Sequence, residues 1–188
     1  MNPIEHLIKT SLPHIGEKDS TLFAGMFERI KLKKGEMLLS QGEICQYLYF
    51  LSEGSCRYYT LKDGNDITIW FGFKNDFVTA FTSFFPQAPS YETIEMLTDG
   101  ELYRIHYEKF ASLKKSTSSF SEVIIHFITQ YTFTIEQRLL MIQTLSAKEK
   151  YMHILENEPE LVLQIPNKYL ASYLGVTRET LSRIRSQV

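Results

Sequence analysis

Arg178, Glu179, Ser182 and Arg183 stand within six residues of one another near the C-terminal end of a 188-residue chain. Their side chains serve one kind of chemistry. An arginine can donate two hydrogen bonds to guanine O6 and N7, a glutamate can accept one from cytosine N4, and a serine hydroxyl can do either. Such groups read a base edge only if they project together from an element slim enough to enter a groove. At 100° per residue they do, because Arg178, Glu179, Ser182, Arg183 and Ser186 fall on one side of a helix and Thr180, Leu181, Ile184 and Val188 on the other.

The residues just upstream supply what is needed to hold that helix. A first short helix can begin at Pro166, whose missing N–H costs nothing in a first turn, with Leu170 and Leu174 on its buried face and Ala171 small at the crossing. Gly175 supplies a left-handed residue to end it, and Thr177 is a good N-cap for the second helix. Val176 and Leu181 occupy the two positions of a hydrophobic staple. This is a helix-turn-helix with its reading helix last. Lys168, Thr177 and Arg185 are placed to hold phosphates, which fix register and carry no sequence information. Residues 166–188 carry four basic side chains against Glu179 alone, a balance of +3 within a chain whose total is −2. The expected partner is double-stranded DNA.

The composition fits one medium domain with a small appendage, at 44% hydrophobic residues. No apolar run approaches the ~20 residues that cross a bilayer, and the first residues lack the basic and apolar blocks of a secretion signal, so a cytoplasmic protein without a membrane partner is expected. Cys45 and Cys56 are too few for a four-sulfur cluster and read as buried thiols. His6, His14, His106, His126 and His153 are scattered without ligand spacing, and no metal site is expected.

Ahead of the helix-turn-helix, residues 118–145 run without Gly or Pro. Ile124, Ile128, Tyr131, Ile135, Ile142 and Leu145 recur at alternating steps of four and three, a coiled-coil seam interrupted by Arg138. Such a helix can pair with its twin or lie on its own chain. Arg138 either points to solvent or makes a polar contact with an effector or the partner subunit. Ser146 and Glu149 then form a capping box that opens a new helix and places a hinge near Leu145.

Residues 23–113 hold short strand-like segments punctuated by Gly35, Gly42, Gly54, Gly64 and Gly72, with a hairpin turn at 62–65. The strings KKGEMLLSQGE (33–43), YLYFLSEG (47–54) and RYYTLKDG (57–64) resemble the β-roll of the cyclic nucleotide-binding domain superfamily. Together with the terminal helix-turn-helix, the chain resembles Crp/Fnr-type transcriptional regulators over nearly its whole length. The resemblance implies an α+β fold: an N-terminal helical segment (1–22), an antiparallel β-roll or double-stranded β-helix as sensor (23–113), a dimerisation helix (114–145) and a DNA-binding domain (146–188). It further implies a homodimer on an inverted-repeat operator, and contact with RNA polymerase where such a regulator activates. Relatives often carry more strands after the reading helix, so a helix-turn-helix without a full wing is expected of a sequence ending at Val188.

Relatives that bind cyclic AMP use a Gly-Glu pair for the ribose and, about ten residues on, an Arg followed by Ser or Thr for the cyclic phosphate. Here Thr79 and Ala80 stand at the first pair, and Ser90 and Tyr91 at the second. Neither of the latter brings a positive charge, and Ala80 accepts no hydrogen bond. No cofactor is expected and neither cyclic AMP nor cyclic GMP as effector, unless Lys74 or Arg104 substitutes from another strand. The candidate effector region is Phe77, Thr79, Ala80, Phe81, Ser90, Tyr91 and Arg138, an aromatic-rich group that either fills itself or suits an apolar ligand. Two other readings compete. One is a ligand-binding subunit whose last helices dock onto a protein. The other is a cupin-like metal enzyme, for which the required His-x-His and following Glu are missing, so no catalytic residue is expected.

Overall fold

The computed structural model describes residues 2–113 and 118–187. The start assigned to the dimerisation helix at 114 and the last residue of the reading helix, Val188, lie outside them. The chain divides into two compact units, one of residues 1–60 and 71–129, the other of residues 61–70 and 130–188.

The first unit opens with α1 (Pro3–Ser11), capped by the Asn2 side chain, which accepts from the Ile4 N–H at 2.9 Å, and α2 (Glu17–Ala24). Strands β1 (Glu28–Leu32), β2 (Met37–Leu39), β3 (Tyr47–Glu53) and β4 (Cys56–Lys62) follow. Then come β5 (Asn65–Gly72), of which residues 65–70 fall in the second unit, β6 (Phe77–Val78), α3 (Phe81–Phe84), β7 (Thr93–Met96), β8 (Gly100–His106) and α4 (Tyr107–Leu113). They form two four-stranded sheets in the orders β1-β8-β3-β6 and β2-β7-β4-β5, antiparallel in each pairing from β1·β8 to β4·β7.

Consecutive strands β3 and β4 belong to different sheets, so the chain must cross over at Gly54. That glycine has φ +97°, and a Cβ there would stand 2.8 Å from the Asp99 carbonyl oxygen, so only glycine fits the crossing. Phe50, Leu51, Ile94, Met96, Leu102 and Ile105 are buried in the roll, and Phe50 beside Leu51 shows that β3 is covered on both faces. The expected α+β β-roll is the fold observed.

The second unit takes the tip of the β4–β5 hairpin, where Asp63 (φ 52°) and Gly64 (φ 77°) make the left-handed turn that the Lys62–Asn65 sequence implies. It also takes α5 (Ser118–Thr144) from Gln130 onward, and α6 (Ala147–Asn157), α7 (Pro159–Gln164), α8 (Asn167–Leu174) and α9 (Arg178–Arg185). The capping box at the head of α6 forms: the Glu149 N–H donates to Ser146 Oγ, and the Ser146 N–H to the Glu149 carboxylate at 2.8 Å. Tyr151, Ile154, Leu161, Ile165, Leu170, Leu174, Leu181 and Ile184 make its core. Among the described residues, no helix is long and apolar enough to cross a membrane.

Candidate nucleic-acid interface

Helices α8 and α9 meet at a turn built from the residues that the sequence marks for it. Pro166 is one position earlier than expected, serving as the extended N-cap of α8 at ψ 137° where the first turn was anticipated. Gly175 adopts φ 68°, ψ 34°, and the N–H groups of Gly175 and Val176 close the last turn on Ser172 and Ala171. Thr177 caps α9, its hydroxyl oxygen accepting from the Thr180 N–H at 3.2 Å. Leu181 and Ile184 are buried, which leaves Arg178, Glu179, Ser182 and Arg183 exposed together on the opposite side. The Glu179 carboxyl is held below the usual carboxylate range by its own backbone N–H, then by the Thr177 hydroxyl and the nearby Arg178 charge. It is therefore an acceptor at neutral pH.

The two basic residues assigned to phosphates part company. Lys168 is exposed at the start of α8, its ammonium 5.5 Å from the Tyr169 ring centre. Arg185 turns inward: Nη2 donates to the Val162 carbonyl at 3.0 Å, Nη1 donates to Asn167, and the guanidinium lies 5.8 Å from the Tyr151 ring centre. Its Nε is buried without a hydrogen-bond partner among the described residues. The half-buried side chain thus ties α9 to α6, α7 and α8, a use that a basic residue at a helix C-terminus favours through the helix dipole and that its sequence position did not disclose.

Of the seven residues named for an effector, six lie in the first unit and Arg138 in the second. Thr79, Ala80 and Ser90 are buried and their polar atoms are used internally. The Thr79 hydroxyl donates to the Tyr47 carbonyl at 3.1 Å, and the Ser90 hydroxyl to the Glu92 carbonyl at 2.8 Å. Phe77 packs on Phe27, Phe50 and Phe127, and Phe81 on Phe85. Tyr91 does not line this group, being 76% exposed. Glu92, next in sequence, is pushed up to about 7 by burial. Arg104 is engaged by Glu28 at 3.1 Å and Lys74 is exposed.

The seam residues of α5 are also divided. Ile124, Ile128, Tyr131 and Leu145 are half-buried, with Tyr131 edge-on to Trp70 at 6.4 Å, whereas Ile135 and Ile142 are exposed. The most open apolar side chains, Ile125, Phe133, Leu139 and Leu140, stand further round the helix. Arg138 points into the second unit. Its Nη2 donates to the Tyr173 carbonyl at 3.0 Å, and its guanidinium carbon lies 3.4 Å from the Tyr173 ring centre and 5.7 Å from that of Trp70.

Several residues in these arrangements carry no sequence signal. Ser172, on α8, accepts from the Thr68 N–H of the hairpin at 2.9 Å. Arg57, 2% exposed on β4, pairs with Glu95 at 3.0 Å and stacks 4.1 Å from the Tyr59 ring centre. Only the lone tryptophan, Trp70, could have drawn the eye. Among the described residues, no three His, Cys, Asp or Glu side chains cluster as metal ligands would.

Comparison with known proteins agrees with this fold. Residues 29–117 match the family model of the cyclic nucleotide-binding domain. No curated protein matches the chain. Among solved structures, FixK2 from Bradyrhizobium japonicum superposes with a TM-score of 0.72 at 20% identity, over 86% of this chain and 83% of that one. The c-di-GMP-responsive global regulator CLP of Xanthomonas campestris gives 0.71 at 17% identity, over 92% and 91%. TTHA1359 of Thermus thermophilus, a transcriptional regulator of the Crp/Fnr family, gives 0.68 at 18% identity, over 85% and 84%. Residues 29–117 thus match the cyclic nucleotide-binding domain family, and the chain as a whole has the fold of the Crp/Fnr-type transcriptional regulators.

Proposed function

We propose that this chain is a cytoplasmic, homodimeric transcriptional regulator that reads an inverted-repeat operator through α9. The observation that carries the reading is the joint exposure of Arg178, Glu179, Ser182 and Arg183 on a capped helix whose opposite side, Leu181 and Ile184, is buried. Lys168 and Thr177 flank that face and contact phosphate; Arg185 holds the helices together. Dimerisation uses the open apolar face of α5, from Ile125 through Phe133 to Leu140, with Ile135, Leu139 and Ile142 beside it. The domain boundaries follow the same logic, with sensor over 23–113, dimer helix to Leu145 and reader from Ser146.

The regulator does not answer to cyclic AMP or cyclic GMP, because the positions that hold ribose and phosphate in responsive relatives carry Ala80, Ser90 and Tyr91 here. The Ser90 hydroxyl is bonded internally and Tyr91 faces out. A buried cyclic phosphate would meet no cation from these positions, which costs several kcal/mol.

Selection from random duplexes tests the reading. The selected pool should enrich a two-fold symmetric site with half-sites about one helical turn, ~34 Å, apart, and affinity should fall steeply with salt. An unenriched pool with salt-independent binding sinks it and favours a protein partner for α8 and α9.

A further inference from the structure

We propose that Arg138 is the residue that fixes the long helix against the reader, and thereby decides which spacing between operator half-sites the dimer accepts. The proposal rests on the reading of the chain as a dimeric DNA-binding protein and adds a determinant of its specificity that touches no base.

The second unit contains both parties to that relation: α5 from Gln130, with the open side chains of Phe133 and Leu140, and the helices α8 and α9. Arg138 lies roughly 160° round α5 from Leu140, at 100° per residue. The stripe of Ile125, Phe133 and Leu140 is thus left for a twin, while Arg138, nearer to Ile135 and Ile142 round the helix, is committed to α8. The Tyr173 carbonyl that accepts from Arg138 belongs to the last turn of α8, where Gly175 and Val176 close on Ala171 and Ser172 and leave this oxygen to a side chain. A cation there also complements the helix dipole. The guanidinium carbon lies over the Tyr173 ring and faces Trp70, whose ring meets Tyr173 at 6.3 Å and Tyr131 at 6.4 Å, both edge-on. A planar group held by a hydrogen bond and two ring contacts has little rotational freedom. Its Nη1 is buried without a hydrogen-bond partner among the described residues, so the side chain gives up solvation to stand where it does. An apolar residue would continue the α5 pattern at this position without that loss. What arginine adds is direction.

In a dimer paired along α5, the angle between α5 and α8 sets the distance and phase between the two α9 helices. Adding one base pair between half-sites turns one of them by about 35° and moves it ~3.4 Å, so a fixed angle tolerates few spacings. The experiment measures affinity for duplexes carrying the selected half-site in pairs, with the spacer varied by single base pairs, for wild type and Arg138→Met. Met keeps the volume and loses the charge, fork and donor. Wild type should prefer its best spacing over neighbours by about tenfold or more. Arg138→Met should flatten that ratio toward unity while binding to an isolated half-site stays unchanged, a split that a merely destabilised fold would not produce. The chain's one tryptophan supplies a readout without DNA, since Trp70 emission should shift on losing its cation. Should Arg138→Met fail to melt cooperatively, Arg138→Lys, which keeps a donor for the Tyr173 carbonyl, carries the comparison and should retain part of the preference. A variant as spacing-selective as wild type, or Trp70 emission unaltered by the substitution, overturns the proposal. Wild type that binds no duplex at all defeats the functional reading itself, a distinct result.

Discussion

At the scale of single residues, Lys168 and Arg183 lie open while Arg185 turns inward, and on the proposed reading their variants should separate cleanly. Arg183→Ala should cost about 1–3 kcal/mol on the preferred site and relax base preference there. Lys168→Ala should weaken all sequences alike and reduce the salt slope by about one. Arg185→Ala should instead lower the melting midpoint, by about 2–4 °C for each kcal/mol lost, because it strips the Val162 carbonyl and Asn167 of their donor. Binding titrations at graded salt and thermal melts distinguish the three; an Arg185→Ala protein with a flattened salt slope and an unchanged melt would return that side chain to the phosphates. Glu92 makes a second residue-scale prediction. Its carboxyl titrates near 7 in the folded chain against 4.5 ordinarily, because burial penalises the charged form. Between those values the folded state keeps a proton that the unfolded state releases, so this group's contribution to stability declines as pH rises from about 4.5 to about 7. Glu92→Gln, neutral throughout, should melt above wild type at pH 8 and lose that advantage toward pH 4.5. Equal melts at pH 8 would mean the carboxylate is solvated.

Among the elements, the long helix carries the test of the proposed assembly. Phe133→Asp with Leu140→Asp should leave a monomer in sedimentation at tens of micromolar, roughly the range in which a stable interface stays associated, since pairing would bury two charges from each subunit. A dimer that survives both changes would move the interface off this face. The helix also marks where sequence reading succeeds and where it stops. Its span, the Ser146 capping box, the Gly175 terminus, the Thr177 cap and the Lys62–Asn65 turn are all local chemistry, written within four or five residues, and each is present. The side of α5 that lies open is not local. Periodicity identifies an apolar stripe, but which stripe the chain covers for itself depends on Trp70 meeting Tyr131 and on Tyr173 meeting Arg138. Ser172 and Thr68 are 104 positions apart, and nothing in either residue announces the other. Arg185 meets the same limit. A basic residue on an exposed helix end reads as a phosphate contact until its neighbours in space are known.

For the whole molecule, the expected insensitivity to cyclic nucleotides is the sharpest test of how far the roll has departed from responsive relatives. Millimolar cyclic AMP or cyclic GMP should leave the thermal midpoint where it was. A midpoint that climbs with nucleotide concentration, as mass action demands of a native-state ligand, would restore the nucleotide-sensor reading. The helix-turn-helix and the roll were legible from motif and glycine spacing. The division into units was not, because it cuts through β4, β5 and α5.

That division gives the β4–β5 tip an unusual history during synthesis. The tip is made long before α8, so its Thr68 N–H must wait for Ser172, 104 residues later. At ~5–20 residues per second the wait is about 5–20 s. During that interval β5, at the end of its sheet, is an open edge that carries Ile67 and Ile69. Such an edge invites pairing with any other nascent strand. Lys62, Asp63 and Asp66 cluster at the turn. Their charges oppose that pairing, and guard the hairpin until the helix that claims it has been translated.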